Sequence, residues 1–479
     1  MKIVFCSMPY VKTEGPVMAP AVLKAVAEKE GHQSWGLDLN IDFVNQIEYY
    51  PQKSEITNYL MNQVWPSTAV FEYLSDIIDQ FINRVLALNP DVVGLSLLTY
   101  QSQIFTYWFT SRLKDVKPDI QIIIGGSGIK KFIADNNNSY CEDLKQLGLI
   151  DHYIMGDGEL ALVEYLRGNL SYNGIDTNTW IQATNQQLES HPYPKYEDYN
   201  FDLYRKKEIP IVDSRGCVRT CEFCDIIEHW TKFAFRSGES IFDEMLVQSK
   251  KYGIRHFYFK DSLINGNMKV FTRLVELIAE HNRASAEEEK FSWQAYFIIR
   301  NSKQHPESLF ELIKESRGDL ELGIESVIRN VRWGMGKKFE NEDIDWHLEM
   351  GQKYQIPLSL LLIIAYPTET LADWEFTKQW FKDRVQYGQN PVYQVQLNWA
   401  SILPNTTLER KNKEYGFEIG KFPSIWFDTN FKITTQMKID YINELNDVCK
   451  PFFAGDLHHI LKEFQASAMN VVTSYSEDL

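Results

Sequence analysis

The stretch Asp213-Ser-Arg-Gly-Cys-Val-Arg-Thr-Cys-Glu-Phe-Cys-Asp225 sets the interpretation of this chain. Its three cysteines, Cys217, Cys221 and Cys224, have the spacing C-x3-C-x2-C. Soft thiolates packed this closely suit an iron–sulfur cluster or zinc rather than calcium or magnesium. A [4Fe–4S] cluster takes one cysteine per iron, so three cysteines leave one iron without a protein ligand. Such an iron can bind a small molecule and pass an electron to it.

Two other interpretations of the cysteines stay open at this point. A structural zinc site needs four ligands, commonly two C-x2-4-C pairs about a dozen residues apart. Only His229 follows closely, and no second C-x2-C pair is present. The three cysteines could also be unrelated core residues, because free cysteine is often buried. Ligand number and spacing favour the cluster, whose open iron suits radical chemistry with S-adenosylmethionine (SAM).

Composition and charge limit the possible functions. The 479 residues suit roughly two to four domains at about 150 residues each. The formal net charge of -16 opposes binding to polymeric nucleic acid or anionic membranes, since phosphate-binding surfaces are usually basic. Six cysteines, three of them in one motif, do not form a disulfide scaffold and suit a reducing compartment.

The hydropathy pattern predicts a cytoplasmic protein. Met1–Phe5 resembles a strand, and no apolar segment with a cleavage site follows it, as a signal peptide would require. No apolar run reaches the roughly 18 residues of a membrane-spanning helix. We therefore expect a cytoplasmic location and no membrane partner.

Alternating strands and helices in residues 1–170 predict a doubly wound, Rossmann-like parallel sheet. Ligands of such sheets bind beyond the carboxyl ends of the strands. Small residues are expected at those ends, where they would clear space for a flat ligand: Ser96, Gly125, Gly126, Ser127 and Gly128. For any one of these loops, simple turn geometry is the alternative explanation.

The rest of the chain is predicted to contain a linker, a barrel and a terminal segment. Residues 171–209 are polar and are expected to be a linker. Residues 210–408 hold about six βα units, including a helix at Leu371–Tyr387, which predicts a partial (β/α)6 TIM-type barrel with function on the loops after the strands. The cysteine loop follows the first of these strands. Residues 409–479 are expected to form a helical C-terminal segment, with no recognisable motif.

Over roughly residues 1–408, the motifs together resemble radical SAM enzymes of the subgroup with an N-terminal cobalamin-binding-type domain. The resemblance implies that the three cysteines hold a [4Fe–4S] cluster and that SAM chelates the fourth iron through its amino and carboxylate groups. Phe223 occupies the family's aromatic position, which packs near the adenine. Val218 stands where the family often has proline.

Further motifs imply the residues of a SAM site. Asp261 lies in a stretch similar to F-x-D-D-x-F-x-x-N and is a candidate for the SAM amino group, with a helix cap or Asx turn as the alternative. Arg300 ends the next strand and is a candidate for the SAM carboxylate, with a surface ion pair as the alternative. Glu325 and Ser326 match the G-x-E-S strand end, which implies contacts with the ribose hydroxyls and amino group. Met335-Gly-Lys337 resembles the M-x-K element.

The chain departs from the family pattern at some glycines and at the cobalt ligand. Ala365, Thr368 and Asn405 stand where glycine is usual. In the N-terminal domain, Ile124–Ser127 resembles a G-G-P-H turn, but no D-x-H-x-x-G motif is present. The resemblance implies cobalamin as a cofactor, with its cobalt base-off and without a histidine ligand.

The implied activity is cleavage of SAM to a 5′-deoxyadenosyl radical, followed by cobalamin-dependent methylation of an unactivated carbon. One alternative keeps the radical step without cobalamin, in a rearrangement, cyclisation or oxidation. A third hypothesis, a metal-stabilised interaction module, leaves Arg300 and Glu325 unexplained. The expected partners are a small-molecule or peptide substrate and an external electron donor such as flavodoxin or ferredoxin.

Overall fold

The computed structural model describes residues 1–11, 14–62, 64–130, 138–384, 392–420, 426–429 and 433–449. These residues form two compact units. The first unit comprises Met1–Pro210, Glu228–Arg236 and Glu244–His256, and the second comprises Ile211–Ile227, Ser237–Asp243 and the described residues from Phe257 onward. No helix within the described ranges is both long and apolar enough to cross a membrane.

The first unit is built on a five-stranded parallel sheet with the order β2-β1-β3-β4-β5. Its strands are β1 (Lys2–Ser7), β2 (Gln33–Asp38), β3 (Val92–Ser96), β4 (Gln121–Gly125) and β5 (His152–Ile154). Its helices are α1 (Ala19–Lys29), α2 (Leu39–Ile47), α3 (Lys53–Asn62), α4 (Thr68–Leu86), α5 (Ser102–Val116), α6 (Ser139–Gln146), α7 (Gly158–Leu166) and α8 (Asn185–Ser190). This order confirms the predicted doubly wound sheet.

The apolar strands are explained by cores on both faces of this sheet. Along β1, Val4 and Cys6 belong to one buried cluster, and Ile3 and Phe5 belong to another. Successive side chains of a strand point to opposite faces, so a strand covered on both sides must be apolar throughout. Burial of both faces therefore explains why the strands of this sheet are apolar.

The polar segment 171–209 packs as part of the first unit. Tyr196 and Tyr204 are buried, and the Tyr204 hydroxyl donates to Asp38 Oδ2 at 2.7 Å. The Tyr199 hydroxyl donates to Val17 O at 2.7 Å. Aromatic side chains with hydrogen-bonded hydroxyls account for this packing, which its polar composition concealed.

A six-stranded sheet follows, with the order β13-β12-β11-β10-β9-β6. The strands are β6 (Ile209–Ile211), β9 (His256–Phe259), β10 (Ser292–Phe297), β11 (Gly318–Glu325), β12 (Leu358–Ile364) and β13 (Val392–Trp399), and the short strands β7 (Ser214–Arg215) and β8 (Ala234–Phe235) lie between the first two in the chain. The intervening helices are α9 (Ile226–His229), α10 (Gly238–Tyr252), α11 (Met268–Ala284), α12 (Glu307–Glu315), α13 (Arg329–Gly334), α14 (Asn341–Tyr354) and α15 (Leu371–Arg384). Strands that neighbour one another in chain order, with parallel pairing from β10 to β13, confirm the partial barrel.

The C-terminal segment contains strands as well as the predicted helices. Its elements are α16 (Thr407–Arg410), α17 (Asn412–Tyr415), β14 (Phe417–Ile419), β15 (Trp426–Asp428) and α18 (Thr435–Cys449). Strands β14 and β15 pair antiparallel, and the rings of Phe417 and Trp426 lie 5.7 Å apart. Aromatic residues favour such pairing, so Phe417–Ile419 and Trp426–Asp428 form strands rather than helix. The predicted end of the helix Leu371–Tyr387 lies outside the described residues.

Candidate functional site

The cysteine loop follows β6 and carries the three thiols in a partly buried position. Cys221 is buried, and Cys217 and Cys224 are half-buried. Burial raises the pKa of the Cys221 thiol to about 11 and that of Cys224 to about 12. The backbone N–H of Arg219 lies 3.4 Å from Cys217 Sγ and donates to it. Thiols in such a setting ionise only when a metal centre replaces their protons.

The donor set fits a [4Fe–4S] cluster better than a single zinc ion. Zinc needs four ligands that converge on one point, whereas a cluster takes one thiolate on each of several irons. Among the described residues, no group of three or more His, Cys, Asp or Glu side chains is arranged to hold one metal ion. The ring of His229, the nearest zinc candidate in the sequence, stacks on Trp180 with 4.6 Å between centroids.

Asp261 holds the beginning of the cysteine loop. Its Oδ2 accepts hydrogen bonds from the backbone N–H groups of Asp213 at 2.7 Å and Ser214 at 3.3 Å. Its Oδ1 lies 3.6 Å from Arg215 Nη1, and the residue is 9% exposed. These bonds come from a distant part of the chain, so they are neither a helix cap nor an Asx turn, and contact of Asp261 with the SAM amino group stays a prediction. The two backbone hydrogen bonds position the loop that carries the cysteines.

A glycine lets the M-x-K element contact the same loop. Gly336 has φ +85°, and a Cβ at this position would lie 3.0 Å from Thr220 O. The neighbouring carbonyl of Met335 accepts a hydrogen bond from Glu222 N at 3.0 Å. Only glycine meets both the left-handed backbone and the close approach without strain.

Glu325 and Lys337 form a buried ion pair at the end of β11. Their closest atoms, Oε1 and Nζ, are 2.8 Å apart, and their side chains are 12% and 10% exposed. A Cβ on Gly323 would lie 3.0 Å from both atoms, so this glycine leaves the space that the pair occupies. Glu325 itself has φ +63°. A left-handed backbone at a non-glycine residue marks a position that its surroundings hold in place.

Ser326 supports the turn that follows Glu325. Its Oγ accepts from Ile328 N at 3.2 Å and lies 3.5 Å from Glu369 Oε1. Arg332 Nη1 donates to the Ser326 carbonyl at 2.7 Å. Ser326 is 2% exposed, so its hydroxyl serves the turn and leaves Glu325 as the more accessible group of the motif.

Arg300 lies just after β10, which ends at Phe297, and part of its guanidinium has no hydrogen-bond partner among the described residues. Its Nη2 donates to the carbonyls of Asn265 at 3.3 Å and Gly266 at 3.5 Å. Its Nε is buried and, within the described ranges, has no hydrogen-bond partner. Burial lowers the pKa of Arg300, and the neighbouring charge of Arg219 lowers it further. Two adjacent guanidinium groups with an unmet donor form a ready site for an anion.

Phe223 belongs to an apolar cluster beside the cysteine loop. The cluster includes Met335, Tyr366 and Leu408, and the Tyr366 hydroxyl is buried without a partner among the described residues. Of the three residues that stand where the sequence pattern expects glycine, Ala365 and Asn405 have left-handed backbones, with φ +55° and +62°, and Thr368 does not.

The candidate residues of the first unit come together at the carboxyl edge of its sheet. Ser96 pairs in register with Gly125, and Leu97 N donates to Gly125 O at 2.9 Å. Gly126 has φ +95°, and a Cβ there would lie 2.4 Å from Leu97 O. The Ser127 hydroxyl donates to Leu98 O at 2.6 Å.

These contacts give a different explanation for the small residues, which were expected to clear space for a flat ligand. A Cβ on Gly128 would lie 2.3 Å from Thr99 O, so the neighbouring loop, rather than open space, faces the two glycines Gly126 and Gly128. Their smallness lets two strand-end loops pack closely. Binding of a flat ligand at this edge stays a prediction.

Sequence reasoning missed the partners of Glu222, a residue inside the cysteine motif. Lys411 Nζ donates to Glu222 Oε1 and the Tyr415 hydroxyl donates to Oε2, both at 2.7 Å. No motif surrounds Lys411 or Tyr415. The only signal was an acidic residue between two metal-ligand candidates, which needs a compensating partner.

Sequence comparison finds relatives that match only part of the chain. No family model matches the chain. The chain is 25% identical over 243 residues to a cytidylyl-2-hydroxyethylphosphonate methyltransferase of Streptomyces wedmorensis, which covers 41% of this chain and 43% of the relative. The chain thus spans less than half the length of this relative.

Solved structures match over most of the chain. The radical S-adenosylmethionine methyltransferase TsrM from Kitasatospora setae, solved with cobalamin and a [4Fe–4S] cluster, matches with a TM-score of 0.65 at 14% identity, over 93% of this chain and 90% of TsrM. The cobalamin-dependent radical enzyme OxsB, solved with aqua-cobalamin and S-adenosylmethionine, matches with a TM-score of 0.61 at 15% identity, over 86% of this chain and 61% of OxsB. This chain therefore has the fold of these two solved enzymes.

Proposed function

We propose that this chain is a radical SAM enzyme that methylates an unactivated carbon with the help of a [4Fe–4S] cluster and cobalamin. The observation that carries the proposal is the unsatisfied, buried Nε of Arg300, at a strand end in the same unit as a loop of three thiols. An anion-binding guanidinium and an incomplete cluster ligand set are the two features that SAM requires. When bound, the cluster supplies the electron that cleaves SAM, and methylcobalamin supplies the methyl group.

The cysteine loop and Asp261 form the cluster site in this proposal. Cys217, Cys221 and Cys224 hold the cluster. Asp261 fixes the start of their loop through its two backbone hydrogen bonds.

The other strand-end residues bind SAM. Arg300 binds its carboxylate with its free donors, because the planar guanidinium matches that group. Glu325, held in place by Lys337, accepts hydrogen bonds from the amino group or ribose hydroxyls. Phe223 packs near the adenine, and Ser326 keeps the Glu325 turn in shape.

The carboxyl edge of the first unit binds cobalamin in this proposal. Ser96, Gly125, Gly126 and Ser127 lie along that edge, where doubly wound sheets hold ligands. The hydrogen bonds between the two loops keep the edge rigid before a ligand arrives. The substrate is a small molecule or a peptide, and the electron comes from a flavodoxin- or ferredoxin-type donor.

The test is anaerobic reconstitution with iron, sulfide and hydroxocobalamin, followed by desalting and by incubation with SAM and a reductant. The proposal expects about one cobalamin per chain with a base-off spectrum, and SAM turnover that depends on the cluster. SAM cleavage without retained cobalamin would replace methylation by a cobalamin-independent rearrangement, cyclisation or oxidation. Stoichiometric zinc with no acid-labile sulfide would instead indicate a metal-stabilised interaction module.

A further inference from the structure

We propose that the C-terminal segment Thr407–Tyr415 is a positioning element for the cysteine loop and acts through Glu222. The inference rests on the proposed function, since it assigns this segment a role at the cluster. Glu222 lies between Cys221 and Phe223 in the sequence, whereas Lys411 lies 189 positions later.

The backbone of Glu222 is held on both sides. Its N–H donates to Met335 O at 3.0 Å, and its carbonyl accepts from Leu408 N at 2.8 Å. Neither partner belongs to the cysteine loop. The peptide groups on each side of Glu222 are therefore fixed from outside, and these peptides lead directly to Cys221 and Phe223.

Both carboxylate oxygens of Glu222 accept a hydrogen bond from the same segment. Lys411 Nζ lies 2.7 Å from Oε1, the Tyr415 hydroxyl lies 2.7 Å from Oε2, and Lys411 Nζ also lies 3.2 Å from the Tyr415 hydroxyl. The Glu222 side chain is 15% exposed and that of Lys411 is 33% exposed. An isolated pair at such exposure stabilises little, but three groups joined in one network hold a defined geometry.

Apolar packing adds a third attachment. Leu408 is fully buried, and it belongs to the cluster that contains Phe223, Met335 and Tyr366.

The two short helices of the segment have regular ends. Thr406 caps α16 by accepting from Glu409 N at 3.2 Å, and α17 ends at Gly416 with φ +69°.

The arrangement has an electrostatic consequence for a cluster held by the loop. Lys411 compensates the negative charge of Glu222 beside the cysteine thiolates. Net charge and hydrogen bonding around a cluster set its reduction potential. Loss of Lys411 would leave an uncompensated carboxylate there, which makes reduction harder and lowers the midpoint potential.

The test compares charge variants of the full-length reconstituted protein by EPR-monitored redox titration and by iron retained after desalting. Lys411→Met is expected to lower the midpoint potential and to weaken cluster retention by roughly tenfold, the factor set by one charged hydrogen bond. Lys411→Arg keeps the charge and should behave like the unchanged protein. Lys413→Met removes the same charge from an exposed position of α17 and is the matched control.

A charge-pair cycle separates electrostatics from simple destabilisation. The double variant Glu222→Gln/Lys411→Met restores neutrality, so its midpoint potential should return toward that of the unchanged protein. Tyr415→Phe keeps the packing and should shorten cluster lifetime without a change of charge. Unchanged potential and cluster lifetime in both Lys411→Met and Tyr415→Phe would overturn the proposal, even if another variant failed to fold.

The outcome is distinguishable from failure of the proposed function. If the unchanged protein takes up no iron–sulfur cluster, the proposed function itself fails. If it carries the cluster and Lys411→Met behaves like Lys413→Met, only the role of the C-terminal segment is wrong.

Discussion

His305 Nδ1 lies 2.8 Å from His347 Nε2 in the interior of the second unit, and both residues are fully buried. His347 Nδ1 lies 2.7 Å from Asp343 O, which only accepts, so this nitrogen carries the proton. His305 then donates from Nδ1, and its Nε2 accepts from Asn265 Nδ2 at 3.2 Å. Asn265 bonds to both backbone groups of Ile298, at 2.8 and 3.0 Å. Two neutral rings thus support the strand end that leads to Arg300.

This relay predicts how stability depends on pH. Burial lowers the pKa of His347 to about 4 and that of His305 to about 2, and the proximity of Arg300 and of the second imidazole further disfavours protonation of His305. The unfolded chain protonates both rings near pH 6.5, so as pH falls below about 6.5 it binds protons that the folded chain does not. The free energy of unfolding should therefore fall between about pH 6.5 and pH 4.

Urea unfolding at several pH values checks this expectation. His305→Gln retains a donor and an acceptor but does not titrate, so its stability should fall less steeply below pH 6.5. Equal pH slopes for the variant and the unchanged protein would contradict the neutral relay.

The close approach of Gly336 to Thr220 predicts a sharp effect of one methyl group. Gly336→Ala places a Cβ 3.0 Å from Thr220 O at a residue with φ +85°. We expect a loss of about 1–3 kcal/mol in the free energy of unfolding and weaker retention of iron. Gly334→Ala is the control, because a Cβ there has no neighbour within 4 Å and Gly334 ends helix α13. Equal stability and equal iron content of the two variants would show that Gly336 is not constrained.

The strand ends of the barrel predict which variants lose SAM. Glu325→Ala and Arg300→Ala each remove a charged hydrogen-bonding group, so the SAM dissociation constant should rise about tenfold or more in each. Iron and sulfide content should stay unchanged, because neither residue is a cluster ligand. Arg329→Ala, at an exposed arginine paired with Glu340, is the control for loss of positive charge. Unaltered SAM affinity in both site variants would refute the assignment.

A buried lysine in the C-terminal segment predicts a second dependence of stability on pH, this time above neutral pH. Lys438 is 1% exposed. Its Nζ donates to the backbone carbonyl of Trp426 at 2.9 Å and lies 3.0 Å from the centroid of the Trp426 indole ring. Burial lowers its pKa to about 7. Between about pH 7 and pH 10.4 the unfolded chain holds a proton that the folded chain has lost, so stability should rise with pH across this range.

Lys438→Met removes this dependence and is expected to be at least as stable as the unchanged protein at pH 7, because it buries no charge. Thermal unfolding at pH 7 and pH 9.5 measures the difference, with exposed Lys413→Met as the control. A rise with pH that is the same in both variants would show that Lys438 keeps its charge.

The regular elements were predictable because local pattern determines them. The alternation of strands and helices in residues 1–170 predicted the doubly wound sheet, whose strands include the apolar run Val92–Ser96. This run is apolar because both faces of its sheet are covered. The G-x-E-S motif, with Gly323 and Glu325, was also recognisable, because it lies within four consecutive residues of the sequence.

Long-range contacts were not predictable in the same way. The sequence singled out Asp261 for its charge, but its partners, the N–H groups of Asp213 and Ser214, lie 48 and 47 positions earlier. Glu222 and Lys411 are still farther apart in the chain, and no sequence motif links the two residues. The buried face of Tyr196 and Tyr204 was hidden by a polar composition, because a hydrogen-bonded tyrosine resembles a surface residue in sequence.

EPR spectroscopy of the anaerobically reduced, reconstituted protein, with and without SAM, tests the central claim most directly. The account predicts the signal of one reduced [4Fe–4S] cluster, with about four irons per chain, and a change of that signal when SAM binds the iron that Cys217, Cys221 and Cys224 leave open. Replacement of any of the three cysteines by alanine should abolish it. A zinc-containing protein without sulfide, or a cluster signal that SAM does not alter, would contradict the account.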